Sequence, residues 1–95
     1  MGKIAELSNG SRKVEVEGKV VQKEQPREVS TKFGRKKVCN AIIEDDSGSI
    51  MLVLWGDEID NINEGDTVKI ENGYVSEWKD TLQLSVGQYG KMTVL

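Results

Sequence analysis

Trp55, Tyr74 and Trp78 sit in surroundings that a core aromatic does not need. The chain holds two Trp, two Tyr and one Phe. Three of these rings fall in "LVLWG" (52–56) and "NGYVSEWKD" (72–80), beside Gly, Glu, Lys and Asp. A fourth, Phe33, lies inside "TKFGRKK" with Lys32, Arg35, Lys36 and Lys37 around it. Exposed rings stack on flat π-faced partners such as nucleobases, and neighbouring ammonium and guanidinium groups neutralise phosphates. This is the chemistry of holding a ligand. It is not the chemistry of transforming one.

Reaction chemistry finds little support. His is absent, which removes the commonest general base, the commonest metal ligand and every Ser-His or Cys-His pair. Cys39 is the single cysteine, so neither an intrachain disulfide nor a cysteine zinc site forms, and its run "VCNAII" reads as a small buried thiol. Asp45 with Asp46, or Asp57 with Glu58 and Asp60, supply the oxygens that Mg²⁺ prefers. The first pair lies in a turn and the second set at a helix start, where acids are ordinarily solvated. No P-loop occurs. The expectation is a non-enzyme with no catalytic residue, no metal and no cofactor.

The chain has 95 residues, 37% hydrophobic and 31% charged, which predicts one domain over 1–95. A domain of this size buries only about 60–65% of its unfolded surface, so rings spared from the core want a reason. No run of about 18 apolar residues exists, and "MGKIAELSNG" lacks the apolar region of a signal peptide. Glu6 stands where a myristoylation signal needs Ser or Thr. A cytoplasmic protein is expected. Charge is divided: residues 1–37 carry ten Lys/Arg against five Asp/Glu, and residues 38–95 carry three against eleven, giving −3 overall. A polyanion would be repelled at long range, so its binding must come from a local basic surface.

Positioning the rings falls to strands. Period-two alternation runs through "VEVEGKV" (14–20), and "KVCNAIIEDD", "SGSIMLVLWG", "TVKIENGYVSEW" and "TLQLSV" give four more strands, near 37–45, 49–56, 67–78 and 81–86. "GKMTVL" adds a short sixth segment. "DDSGS" (45–49) and Lys79–Asp80 are tight turns, while 27–36 reads as a longer loop with Gly34 near its tip. In "DEIDNINEGD" (57–66) a short helix fits, with Asp57 as cap, Ile59 and Ile62 on one face and Gly65 as the stop. Five strands with a short helix between the third and fourth is the order of an OB-fold barrel, an all-β five-stranded fold. Gly18 suits a first strand that coils sharply and pairs on both sides. An SH3-like barrel, the rival, has no place for 57–66.

Pleating then sorts the faces. Ile50, Leu52 and Leu54 point inward, and Met51, Val53 and Trp55 outward. Val68 and Ile70 point inward; a bulge at "ENG" shifts the phase, so that Val75 follows them while Tyr74, Ser76 and Trp78 point out. Leu82 and Leu84 return to the core. Three rings thus share an outer face. They either pad the exterior, close an oligomer interface, or stack on bases; the basic loop with its own Phe33 favours stacking.

These segments, "QPREVSTKFGRKKV", "AIIEDDSGSIMLVLWGDEID", "EGDTVKIENGYVSEW" and "LQLSVGQYGKMTVL", resemble the short archaeal single-stranded DNA-binding proteins. That family is related to the DNA-binding domains of replication protein A and to the small human single-stranded DNA-binding proteins. The resemblance covers nearly the whole chain and implies an OB-fold that binds single-stranded DNA in replication, recombination and repair. It places base stacking on Trp55, Tyr74 and Trp78, where relatives often carry Trp and Phe at the last two. Phe33 joins them as a candidate, with Lys32, Arg35, Lys36, Lys37 and Lys79 as candidate phosphate ligands. Expected partners are single-stranded DNA, with RNA as the alternative ligand, and replication and repair proteins, but no membrane. Some relatives continue into a Gly/Arg-rich or acidic tail that recruits partners; the sequence here stops at Leu95. A protein-docking OB subunit of a larger complex is the competing function.

Overall fold

Alternating Val and charged residues do produce strands, and these run longer than the apolar stretches alone define. The computed structural model describes residues 2–95, the side chains of 87–89 excepted. After a 3-10 turn at Ile4–Glu6 come β1 (Arg12–Lys23), β2 (Arg27–Thr31), β3 (Gly34–Glu44), β4 (Ser49–Trp55), α1 (Glu58–Asn61), β5 (Thr67–Trp78) and β6 (Thr81–Val94). The sheet order is β1-β5-β6-β4-β3-β2, and an additional β1–β3 pairing closes five strands into a ring. β2 hangs outside that ring, paired to β3. β4 and β6 run parallel, and the other pairs are antiparallel. This is the expected five-stranded barrel, with its helix between the third and fourth strands of the ring.

Inward positions supply the core: Val14, Val16 and Val20 of β1, Ala41 and Ile43 of β3, Ile50, Leu52 and Leu54 of β4, Val68, Ile70 and Val75 of β5, and Leu84 of β6. Burying each such Val, Leu or Ile stabilises the fold by about 1.5–3 kcal/mol. The two ends of β4 are covered by different elements. Ile4 of the 3-10 turn packs at one end, and Ile59 and Ile62 of the helical segment at the other, all buried. Lys23 secures α1 by donating from Nζ to the carbonyls of Ile59 and Ile62, where a cation meets the negative end of the helix. The Cys39 thiol is buried and donates to the Glu24 carbonyl at 3.0 Å; burial pushes its pKa up.

Local details differ from the sequence expectation in four places. Residues 27–36 are not a loop but a hairpin, with Lys32–Phe33 at its tip and Gly34 at φ +110°. Thr31 closes that tip, its hydroxyl donating to the Gly34 carbonyl and accepting from the Phe33 N–H. Asp57 makes no side-chain cap to α1. Gly65, at φ +93°, does not stop the helix, which already ends at an extended Ile62; it donates instead to the Val20 carbonyl and ties 63–66 to β1. The final segment is not separate, because β6 runs unbroken to Val94 and pairs again with β5 between Val68 and Glu71.

β1 pairs with β5 from Arg12 to Lys19 and with β3 from Lys19 to Lys23. A Cβ at Gly18 would lie 3.2 Å from the Glu44 carbonyl oxygen, so the expected glycine role in the coiled first strand holds. The other anchor is Asp45, in the turn between β3 and β4. Its carboxylate accepts from the Ser47 N–H and hydroxyl, the Gly48 N–H and, across 41 residues, the Ile4 N–H. Those donors, the Ser47 hydroxyl foremost, hold its pKa at about 2, below the usual 3.8. Asp45 is therefore a tie between the N-terminal turn and the barrel, more than a solvated acid. Asp46, by contrast, makes an exposed ion pair with Lys3.

A carboxyl whose pKa is depressed by folding adds stability above its unfolded value and loses it as pH falls through the folded value. Asp45→Ala should lower stability by about 1–2 kcal/mol and flatten the stability–pH curve between about pH 4 and pH 2. Asp46→Ala should leave the urea midpoint unchanged. Urea unfolding of the three proteins across acid pH checks both statements; equal midpoints for parent and Asp45→Ala would show that the tie contributes nothing.

Candidate nucleic-acid interface

The bulge at "ENG" exists. Asn72 takes φ +54°, and the β5–β6 register shifts between Glu71 and Gly73. Before it Val68 and Ile70 face the core; after it Val75 does, so Tyr74, Ser76 and Trp78 turn outward. On β4 the alternation holds, with Met51, Val53 and Trp55 on the outer face. The three rings are exposed by 39% at Trp55, 44% at Tyr74 and 59% at Trp78.

Cross-strand register locates them. Trp78 lies opposite Thr81; Ser76, Gln83 and Met51 form the next row; Tyr74, Ser85, Val53 and Asn40 the next; Trp55 and Val38 the last, with Arg27 beyond on β2. Tyr74 and Trp78 are four residues apart on one strand, roughly 13 Å, and Trp55 stands two strands over, roughly 10 Å to the side. Each ring is thus far enough from the next to take its own base. An open groove of about 660 Å³ runs between Trp55 and Trp78. Its floor includes Val38, Asn40, Met51, Val53 and Gln83, and Arg27, Val29 and Lys79 also line it. Tyr74 shares the outer face but does not line this groove.

The candidate cations divide. Lys79 holds its ammonium 4.5 Å from the centre of the Trp78 ring, a cation–π contact at the groove's edge. Lys32 does the same over Phe33 at 5.1 Å, but Phe33 is 80% exposed at the hairpin tip and lines no part of the groove. Lys36 pairs with Val29, a groove residue, and the pleat puts both on the groove side. Arg35 and Lys37 alternate to the other side, and Arg35 lies 3.8 Å from Glu28 in an exposed ion pair. The four-residue basic cluster is therefore split, with Lys36 favourably placed. Arg12 lies opposite Tyr74 across β1 and β5 and adds a further cation to that edge.

Sequence reasoning missed Arg27, Asn40 and Gln83. Treating 27–36 as a loop hid the pleat that brings Arg27 into register with Val38. The signal was faint, since Val29 is the single apolar residue of β2.

The outer-face geometry meets a sequence match: residues 14–91 match the OB-fold nucleic acid binding domain family. The chain belongs to that family. A relative, the single-stranded DNA binding protein Ssb of Saccharolobus solfataricus, is 33% identical over 90 residues, covering 95% of this chain and 61% of the relative. Replication factor A of Methanothermobacter thermautotrophicus is 28% identical over 89 residues, covering 93% of this chain and 11% of that protein. The chain spans less than two thirds of either one. Among solved structures, the replication factor A related protein from Methanobacterium thermoautotrophicum superposes with a TM-score of 0.82 at 28% identity, over 100% of this chain and 90% of that one. The matching family is one of nucleic acid binding domains. Among the described residues no helix is long and apolar enough to cross a membrane.

The turn that carries Lys79 is strained. Lys79 and Asp80 both have positive φ, +50° and +62°, the mirror-image hairpin turn that normally selects Asn-Gly. Asp80→Gly relieves a left-handed L-residue at some cost in unfolded-chain entropy, so stability should rise by about 0.5–1 kcal/mol. A higher urea midpoint with an unchanged slope would show it; a lower one would mean that Asp80 makes a compensating contact.

Proposed function

We propose that the chain, as one nucleic-acid-binding domain over residues 1–95, binds single-stranded DNA with little sequence preference and protects it in replication, recombination and repair. The observation that carries this reading is the placing of Trp55, Tyr74 and Trp78 on one outer face, Trp55 and Trp78 at either end of a cation-edged groove. The named functions of its relatives, a single-stranded DNA binding protein and a replication factor A, support it. Stacking is worth about 1–3 kcal/mol per base, so three rings supply roughly 3–9 kcal/mol, and micromolar affinity needs about 8 kcal/mol. A few phosphate contacts then suffice despite the net charge of −3. Replication and repair proteins are the proposed protein partners, in a cytoplasmic setting.

The roles divide by chemistry. Trp55, Tyr74 and Trp78 take bases, and Lys79 reinforces Trp78 while reaching for a phosphate. Lys36 and Lys32 extend the phosphate track along the hairpin, with Phe33 as an outlying ring at its tip. Arg35 and Lys37 belong to the same cluster and act at longer range.

Quenching of Trp fluorescence by oligo-dT provides the assay. Trp55→Ala and Trp78→Ala should each weaken binding by roughly 1–3 kcal/mol with the fold intact by circular dichroism. Duplex of equal length should bind far more weakly, because it hides its base faces. Unchanged affinity in both variants, or equal affinity for blunt duplex, defeats the stacking interface.

Salt dependence tests the cations separately. Lys36→Ala should flatten the plot of log K against log salt by about 0.7, while Lys37→Ala, on the far side of the hairpin, should change it less. Trp55→Ala should lower affinity at nearly constant slope. Equal slopes for parent and Lys36→Ala would remove Lys36 from the phosphate track.

A further inference from the structure

The groove floor holds polar groups that stacking and charge leave unused. At the Trp55 end, Arg27 lies directly across from Val38, which in turn faces Trp55; Asn40 sits one pleat away, opposite Val53. Asn40 is half-buried and Arg27 exposed. Among the described residues neither side chain has a hydrogen-bond or ion-pair partner. A base stacked on Trp55 would lie over Val38 with its edge toward this pair. At the Trp78 end the comparable groups are Thr81 and Gln83; among the described residues the Gln83 amide donates only to the Met51 sulfur, at 3.7 Å, a weak acceptor.

The two ends differ in what they can discriminate. A hydroxyl or amide both donates and accepts, so Thr81 and Gln83 can satisfy the edge of any base. A guanidinium only donates, in a rigid two-pronged fork. In a single strand guanine presents two adjacent acceptors at O6 and N7 and cytosine at O2 and N3; adenine sets its amine donor beside N1 and N7, and thymine's two carbonyls flank an N–H donor. The fork at Arg27 therefore favours guanine or cytosine and leaves adenine's amine opposed by another donor.

From this placement we infer that Arg27 reads base edges at the Trp55 end of the groove and prefers guanine or cytosine there over adenine or thymine. The inference rests on the single-strand reading and refines it: binding tolerates every base, with one position biased. A good bidentate contact discriminates by about fivefold or more, a modest bias over several stacked bases.

The test uses the full chain and oligo-dT nonamers carrying one central guanine, adenine or 7-deazaguanine, the last lacking the N7 acceptor. The guanine nonamer should bind about fivefold tighter than the other two. Arg27→Lys, which keeps the charge and loses the fork, should erase the difference and leave the salt slope unchanged. Three equal affinities in the parent overturn the inference, as does a guanine preference that survives Arg27→Lys. A loss spread equally over all three oligomers in Arg27→Lys would make Arg27 a phosphate ligand and overturn it too. If plain oligo-dT binds and Trp55→Ala weakens it while guanine gains nothing, base reading alone fails. If no oligomer binds at all, the single-strand interface fails with it.

Discussion

β1 contributes one edge to β5 and the other to β3, and this double pairing turns a six-stranded sheet into a closed five-stranded barrel. Closure removes two edges that would otherwise offer unpaired backbone groups. It also encloses a core from a chain with 37% hydrophobic residues, because each strand needs only its inward positions to be apolar. Gly18 permits the close approach of β1 to Glu44 that closure demands. Ile4 and Ile59 then need only cover the two ends.

Long strands in a small closed ring cannot stay flat. β5 and β6, with 12 and 14 residues, shift register near Asn72, and Gly90 is required where its Cβ would lie 2.6 Å from Val86. The register shift at Asn72 inverts the pleat of β5. Val68 and Ile70 fill the core on one side of Asn72, and Tyr74 and Trp78 reach solvent on the other. Replacing the bulge with regular strand would swing the ring positions inward and the core positions outward.

The side chains of the proposed interface lie where the core has least need of them. Outer-face positions of β4, β5 and β6 bear no packing load comparable to that of Leu52 or Ile70, so rings, amides and cations can occupy them at small cost to the fold. The hairpin of β2 and β3 extends this face beyond the ring and brings Arg27 and Lys36 to the groove side. Its backbone pairing gives two neighbouring basic residues, Lys36 and Lys37, opposite orientations.

Period two and the apolar positions determined the barrel by themselves. Five strands, the helix at 57–66, the inward Ile, Leu and Val residues, and even the bulge at "ENG" were legible, because each follows from local pleating and turn chemistry. The outward phase of Trp55, Tyr74 and Trp78 was legible for the same reason. Tertiary structure alone decided which outer residues meet. Strand neighbours distant in sequence, such as Met51 with Gln83 and Val38 with Arg27, are set by register, and register depends on closure rather than on any local pattern. The hairpin at 27–36 escaped notice because β2 has a single apolar residue, Val29, to reveal its pleat. The cap assigned to Asp57 failed because the Ile59 N–H goes to the Gly56 carbonyl, and the stop assigned to Gly65 because its N–H goes to the carbonyl of Val20, remote in sequence, while Lys23 holds the carbonyls of Ile59 and Ile62.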